Sequence, residues 1–296
     1  MDHLKRRYVP RAELDALCGE RLRDDALAGL WAAGSLDGLA APCVAIVGTR
    51  APSDDGRRRA RELAAALARA GVCVVSGLAL GIDGAAHEGA LAAGAPTIGV
   101  LGGGHDHFFP PRHRELGTRI AAGGGAVVSP FPPENHPEPW QFLARNAVIA
   151  ALADAVVVVE AAARSGALNT AGHAADRGTP VLAFPGDVDR PKAAGCNALI
   201  RDGATLVRDV ADVLASLPLP LAPPPRERTR SASPDPADPE PVRRVIAALE
   251  DGASDAGTLA DRIAIPAAEL FALLTELELS GRIVSGRDGY ALCTRR

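Results

Sequence analysis

The sequence predicts an α/β protein: a doubly wound, mostly parallel sheet, followed by a small C-terminal winged-helix unit. Three observations predict it. From Pro42 to about Leu217, short β-rich runs alternate with segments rich in alanine, leucine and arginine. That spacing builds parallel strands joined by crossover helices. The runs are apolar throughout rather than at alternate positions, as in strands covered on both faces. A proline-rich, charged break then separates this part from a C-terminal stretch that reads as three helices and a hairpin.

Taken in order, residues 1–40 precede the first clear strand and read as a short extension packing on the main domain. The main domain, 41–217, carries strands at 43–47, 72–76, 97–101, 126–129, 155–160 and 181–183. The clearest helix, 56–70, stops at Gly71, a residue free to leave the helical conformation. Residues 218–240 (PLPLAPPPRERTRSASPDPADPE) cannot build a core and read as a linker. Within 241–296, PVRRVIAALE, SDAGTLADRI and PAAELFALLTELELSG read as helices, and RIVSGRDGYALC as a hairpin around Gly286 and Gly289.

Composition bounds the function. The chain of 296 residues has 47% apolar residues, enough for a packed core, but only 3% aromatics, so few platforms for bases or sugars. The net charge of −4 gives no overall basic field. Cys18, Cys43, Cys73, Cys196 and Cys293 include no CxxC pair, so a disulfide framework or zinc site is not expected, and Cys43 and Cys73 read as buried thiols. There is no leader-like apolar segment and no run of eighteen apolar residues, which reads as a soluble, cytoplasmic protein.

Every sheet strand ends in something small or polar. Parallel sheets bind ligands at the carboxyl ends of their strands. After the first strand come Gly48, Thr49 and Arg50: a glycine for close approach, a hydroxyl, and a guanidinium able to grip phosphate bidentately. After the second comes SGLALGID, with Ser76, Gly77 and Gly81 leading into a helix, a junction suited to an anion. It lacks both GxGxxG and the Walker lysine. Gly102–Gly104 follow the third strand, Ser165, Gly166 and Thr170 follow the fifth, and Pro185-Gly186-Asp187 follow the sixth. Arg145 and Asn146 stand near the start of another helix, Arg145 reading equally as a phosphate contact or a solvated helix arginine. Asp83 has two readings, a carboxylate ligand or base, and, favoured, a group that caps the helix or holds loop amides. His87, one turn later, reads as a structural tie rather than a base, since no nucleophile is spaced to use the pair. His105, Asp106, His107 and His113 lie in a proline-broken loop, a poor frame for a metal.

The segments IVGTR (46–50), SGLALGIDGAAHEGAL (76–91), VLGGGHDHFFP (100–110), ARN (144–146), VVEAAARSGALNTA (158–171), FPGD (184–187) and GCNALIRDGA (195–204) closely resemble the DNA-processing protein A family (DprA, also called Smf). The likeness is collinear over about residues 25–217. It implies a Rossmann-like domain that dimerises and binds single-stranded DNA, with a winged helix behind it. It further implies a recombination mediator, not an enzyme, that protects incoming DNA and helps load the RecA recombinase during natural transformation. No cofactor, metal or membrane is implied. It implies phosphate binding by Gly48, Thr49, Arg50, the loop Ser76, Gly77 and Gly81, and Arg145 beside Asn146; the strand-end reading adds Ser165, Gly166 and Thr170 to the candidate set. The sequence departs from the family in three ways: Thr49 stands where Ser is usual, Ala147 where a basic residue is frequent, and Asn169 where Ile is frequent. The family's N-terminal helical domain reads as short or absent.

The rival readings fail on specific positions. A Rossmann-like nucleotide phosphoribohydrolase needs PGGxGTxxE, and aligning Thr170 with its threonine puts His173 where the glutamate belongs. A dinucleotide enzyme needs GxGxxG after the first strand and an acid after the second. A winged helix reading duplex DNA needs basic or amide side chains on its third helix. Here that helix carries Glu269, Glu276 and Glu278 and no lysine or arginine, within a 240–296 stretch of seven arginines against nine acids.

Overall fold

The computed structural model describes residues 5–22, 27–217, 238–250, 255–279, 282–286 and 289–292. The chain divides into two compact units, Met1–Ala222 and Pro223–Arg296. The first runs β1 (Arg6–Pro10), α1 (Arg11–Cys18), β2 (Gly29–Gly34), β3 (Cys43–Val47), α2 (Asp54–Arg69), β4 (Cys73–Ser76), α3 (Ile82–Ala92), β5 (Thr97–Val100), α4 (Arg114–Ala122) and β6 (Ala126–Ser129). It continues with α5 (Pro139–Ala151), β7 (Ala155–Val158), α6 (Gly166–Asp176), β8 (Val181–Ala183), α7 (Ala194–Arg201), β9 (Thr205–Leu206) and α8 (Val210–Ala215).

Nine strands form one sheet in the order β1-β2-β6-β5-β4-β3-β7-β8-β9. From β6 to β9 every pair is parallel. The chain winds outward from β3 through β4 and β5 to β6. It then returns to lay β7, β8 and β9 on the other side of β3. The winding reverses between β3 and β7, and such a switch point opens a crevice at the strand ends. Because successive strand side chains face opposite ways, the five buried residues of β3 feed two cores. Val44 and Ile46 join Leu63, Leu67, Ile82 and Ala86 of α2 and α3. Cys43, Ala45 and Val47 join Ile149 of α5, Leu152 just after it, and Ala171 of α6.

Residues 1–40 differ from the sequence expectation. Rather than resting on the sheet as an extension, their described part adds two strands to it. β1 pairs antiparallel with β2, and β2 antiparallel with β6. RRYVP and GLWAAG are rich in charge, proline, glycine and alanine, all poor strand formers, so only pairing with β6 makes them strands. Arg21 fastens the segment. It donates to the carbonyl of Ala41 at 3.0 Å and to Asp154 Oδ2 at 3.2 Å, which also accepts from the Cys43 amide at 2.8 Å.

The helix read as 56–70 begins two residues earlier. Ser53 caps it, accepting from the Gly56 amide at 3.0 Å, and Gly71 leaves it at φ +80°. Cys18, Cys43, Cys73 and Cys196 are buried and unbridged; Cys293 and most of the linker read as 218–240 lie outside the described residues.

The second unit has α9 (Glu240–Glu250), α10 (Ala256–Ile263), α11 (Ala267–Leu279), β10 (Ile283–Gly286) and β11 (Gly289–Leu292), the last two pairing antiparallel. This is the expected winged-helix order. Its own core contains Val245, Ile246, Leu259, Ile263 and Ile283 with Leu270, Leu274 and Leu277 of α11. Glu269, Glu276 and Glu278 on α11 are exposed.

One buried polar chain ties a helix to the sheet. Thr97 Oγ1 donates to the Val74 carbonyl at 2.6 Å, so it accepts from His87 Nδ1 at 2.9 Å. Burial pushes the His87 pKa down to about 3. The unfolded imidazole takes up its proton near pH 6.5, whereas the folded one stays neutral until far lower. Stability therefore falls as the pH drops from about 6.5 towards 3, the unfolded state binding the extra proton. Replacing His87 by Asn keeps a donor for Thr97 and removes the titration. The stability of His87→Asn, measured by denaturant unfolding, should decline less than that of wild type across this window; equal declines would show that His87 is not the group responsible.

Candidate functional site

The carboxyl ends of β3, β4 and β7 meet α5 and the start of α6 around a pocket of about 380 Å³. Seven of the eleven residues expected from the sequence line it: Gly48, Arg50, Arg145, Asn146, Ser165, Gly166 and Thr170. Thr49, Ser76, Gly77 and Gly81 are not among its lining residues. They build the support beneath it.

Arg145 and Asp83 organise that support. Arg145 is 4% exposed. Its Nη1 donates to the carbonyls of Gly77 and Val100, the latter at 2.6 Å. Asp83, also buried, accepts through Oδ2 from the amides of Gly77 at 3.1 Å and Ala79 at 3.4 Å. A Cβ on Gly77 would lie 2.3 Å from Arg145 Nη1 and 2.7 Å from Asp83 Oδ2, so no larger residue fits between the two charges. Burial raises the Asp83 pKa, opposed by Arg145 and by the amides of Ala79 and Gly77. Burial lowers Arg145 to about 10, opposed by Asp83, so the guanidinium stays charged at neutral pH. Arg145 Nε has no hydrogen-bond partner.

One sequence reading is corrected here and another is resolved. The Ser76 hydroxyl does not face a ligand: it is fully buried and donates to the Ile46 carbonyl at 2.6 Å, tying β4 to β3. Of the two uses the sequence offered the loop amides, a phosphate or Asp83, those of Gly77 and Ala79 take Asp83, the reading favoured for that carboxylate. Thr49 turns its amide to the Glu160 carbonyl at 2.7 Å, and its Oγ1 accepts from Ala51 at 3.3 Å. Gly81 holds φ +89° at the head of α3, where a Cβ would strike the Thr49 carbonyl at 2.4 Å.

At the mouth the situation reverses. Arg50 is exposed, and its guanidinium carbon lies 5.8 Å from the centre of the Phe142 ring. A positive group is thus presented to solvent above a second, buried one. Ser165 starts α6 by accepting from Ala167 at 3.3 Å, so a helix N-terminus, electropositive by its backbone, forms one wall. Asn146 donates to the Gly166 carbonyl at 3.3 Å and to Asn169 Oδ1 at 3.2 Å, closing that wall against α5. The departure at Asn169 therefore gives Asn146 a polar partner.

Sequence reasoning missed Phe142 and Leu143, which also line the pocket. The signal was present. Phe142, Arg145, Asn146 and Ile149 recur at helical spacing on one face of α5, and Leu143 is 53% exposed. The absence of any reason to expose FL before ARN hid it.

Other candidate groups do not converge. Asp83 and His87 take separate partners. His105 bonds the Val127 carbonyl and His113 the Leu78 carbonyl, both at 2.9 Å. His107 stacks on His136, and Asp106 pairs with Arg6. Among the described residues no group of three His, Cys, Asp or Glu could hold a metal ion, and no helix is long and apolar enough to cross a membrane.

The comparisons with known proteins agree on one family. Residues 16–218 match the family described as DNA recombination-mediator protein A, and residues 227–289 match the DprA winged helix domain. Protein Smf of Escherichia coli (strain K12) is 38% identical over 272 residues, covering 90% of this chain and 72% of that protein. The putative DNA processing protein DprA of Mycobacterium tuberculosis (strain H37Rv, ATCC 25618) is 47% identical over 187 residues, 62% of this chain and 48% of that protein. The chain thus spans only about half the length of some relatives. The crystal structure of DprA from Streptococcus pneumoniae aligns with a TM-score of 0.66 at 37% identity, covering 73% of this chain and 75% of that one. DprA from Helicobacter pylori, described for its single-stranded DNA binding mode, aligns with a TM-score of 0.62 at 27% identity, covering 72% and 96%. With its doubly wound sheet and the winged helix behind it, the chain belongs to the DNA recombination-mediator protein A family.

Proposed function

We propose that this chain binds single-stranded DNA by its phosphate backbone at the Arg50 pocket and acts as a recombination mediator. In that reading it is a cytoplasmic homodimer that protects incoming strands and helps load RecA during natural transformation. One observation carries it: an exposed arginine stands over a pocket whose floor is a second, buried arginine and whose wall is a helix N-terminus. Such a site suits a phosphate. Backbone contacts of this kind position a strand without reading its sequence. The strand is bound and no bond is broken. Asp83, the one carboxylate in the pocket, is committed to loop amides, and His87 faces Thr97, so neither is placed to activate water.

The two arginines should behave differently when removed. Arg50→Ala should weaken single-strand binding by roughly 10- to 150-fold, the worth of a charge-assisted phosphate contact, and leave thermal unfolding almost unchanged. It should also flatten the salt dependence by about 0.7 in log–log slope, one phosphate fewer. Arg145→Ala should instead cost stability, by about 2 kcal/mol or more, since it strands two buried carbonyls and a buried carboxylate. Gel shifts and calorimetry on both variants check this. A normal affinity in a folded Arg50→Ala protein removes the site assignment.

The acidic α11 would be repelled by a duplex. A chain ending at residue 217 should therefore keep its single-strand affinity within a few-fold, because the phosphate grips lie in the first unit. Wild type should also prefer single strands to duplex at equal salt. Loss of single-strand binding on truncation, or micromolar duplex binding by residues 236–296 alone, would reassign the interface to the second unit.

A further inference from the structure

A second cavity lies between α2, the end of β8 and the start of α8, and shares no lining residue with the Arg50 pocket. It measures about 480 Å³, a size that suits a small molecule. Its wall is largely apolar: Leu63, Ala66, Phe184, Pro185, Val207 and Val210. The sheet fixes that wall. The Phe184 amide donates to the Val158 carbonyl at 3.1 Å, and the Val207 amide to the Ala183 carbonyl at 2.9 Å.

Five charged residues complete the lining, and four of them are already committed. Arg58 donates to Glu62 at 3.0 Å and to Asp55 at 3.1 Å. Arg208 holds Asp212 through two bonds, at 2.7 and 3.0 Å. Asp209 caps α8, accepting from the amides of Ala211 at 2.9 Å and Asp212 at 3.3 Å. Arg59 is the exception. It is half-buried, and among the described residues no hydrogen-bond or ion-pair partner meets its guanidinium, whose carbon lies 5.9 Å from the centre of the Phe184 ring.

A cation partly withdrawn from water beside an apolar wall gains from an anion. The lining carries three arginines against two acids, so one negative charge suits it better than a phosphate dianion facing Glu62 and Asp209. None of these lining residues bears a hydroxyl or amide side chain, so a base edge, a sugar or a peptide bond would find no neutral side chain to bond. Arg59 already occupies the Phe184 face, which leaves aliphatic rather than aromatic contact to the ligand.

We propose that this cavity binds a small aliphatic carboxylate, its chain against Leu63, Ala66, Val207 and Val210 and its charge on Arg59. The site goes beyond the reading of the Arg50 pocket and does not rest on it.

The probe is octanoate, titrated calorimetrically below its micelle concentration, with octanol as the same chain without the charge. Wild type should bind octanoate about ten-fold or more tighter than octanol, the worth of a charge-assisted bond. Arg59→Gln should bring octanoate down to the affinity of octanol and leave single-strand binding at the wild-type level. Ala66→Phe fills the cavity and should abolish binding of both probes. Should Arg59→Gln fold poorly, Ala66→Phe carries the test alone, since Ala66 is partly exposed and tolerates a larger side chain. Equal wild-type affinity for octanoate and octanol, or octanoate binding that survives Ala66→Phe, overturns the proposal. Binding of an acetylated dipeptide ending in phenylalanine, or of thymidine monophosphate, where octanoate fails gives the cavity to a chain terminus or a nucleotide and overturns it as well. Loss of single-strand binding in Arg59→Gln with octanoate binding intact makes Arg59 a strand contact, with the same consequence.

Discussion

The buried pair of Arg145 and Asp83 about Gly77 is the constraint on which the site depends. The two side chains pull on opposite polar groups of one short segment, Arg145 on the Gly77 carbonyl and Asp83 on the Gly77 amide. Neither charge would be tolerable alone in this interior. Through the Gly77 and Val100 carbonyls and the Gly77 and Ala79 amides, the two side chains pair the backbone of a turn that would otherwise leave those groups unpaired. The turn so fixed sets Gly81 against the Thr49 carbonyl, where only glycine fits. That contact fixes the backbone just before Arg50. The exposed guanidinium is therefore placed by a buried one, through three glycine-dependent approaches at residues 48, 77 and 81.

The same arrangement explains what was legible in the sequence and what was not. Strand–helix alternation and continuous apolar runs reveal the parallel sheet because both signals are local. β1 and β2 escaped because their residues are strand-like only once β6 lies beside them. Arg50 and Arg145 look alike in a sequence, each a basic residue beside a strand end or helix start. Their fates differ because α5 crosses the ends of β4 and β5, a tertiary fact that places position 145 under the Gly77 loop. Ser76 shows the converse error. A serine at a strand end suggests a ligand, yet its hydroxyl is the nearest donor for the Ile46 carbonyl on the neighbouring strand. Residue type marked where the site lies, but side-chain direction decided which groups remain for a ligand.

The two units divide their chemistry in keeping with this. The first hides most of its polar loop groups in mutual bonds and presents the exposed Arg50 at the mouth of the pocket. The second buries Leu270, Leu274 and Leu277 of α11 in its own core and turns Glu269, Glu276 and Glu278 outward. A surface of that sign has no attraction for phosphates, and Phe271 is the large apolar side chain that α11 leaves exposed among the described residues. The winged-helix order is thus kept while the chemistry that lets such a helix enter a major groove is missing.

In the proposed reading, a site with so few free donors would hold each nucleotide modestly, as its construction dictates. The loop amides that could have wrapped a phosphate are spent on Asp83, so the cost of burying a carboxylate is met with donors that a ligand might have used. What remains is the exposed charge of Arg50 and one helix N-terminus. Phosphate contacts position a strand without reading its sequence, so they produce no tight grip on one particular site. On a long strand, affinity would then come from repetition, with neighbouring protomers each adding a weak contact at high effective concentration. A strand held in that way can be released a few nucleotides at a time, which a single deep pocket lined by free amides would not allow.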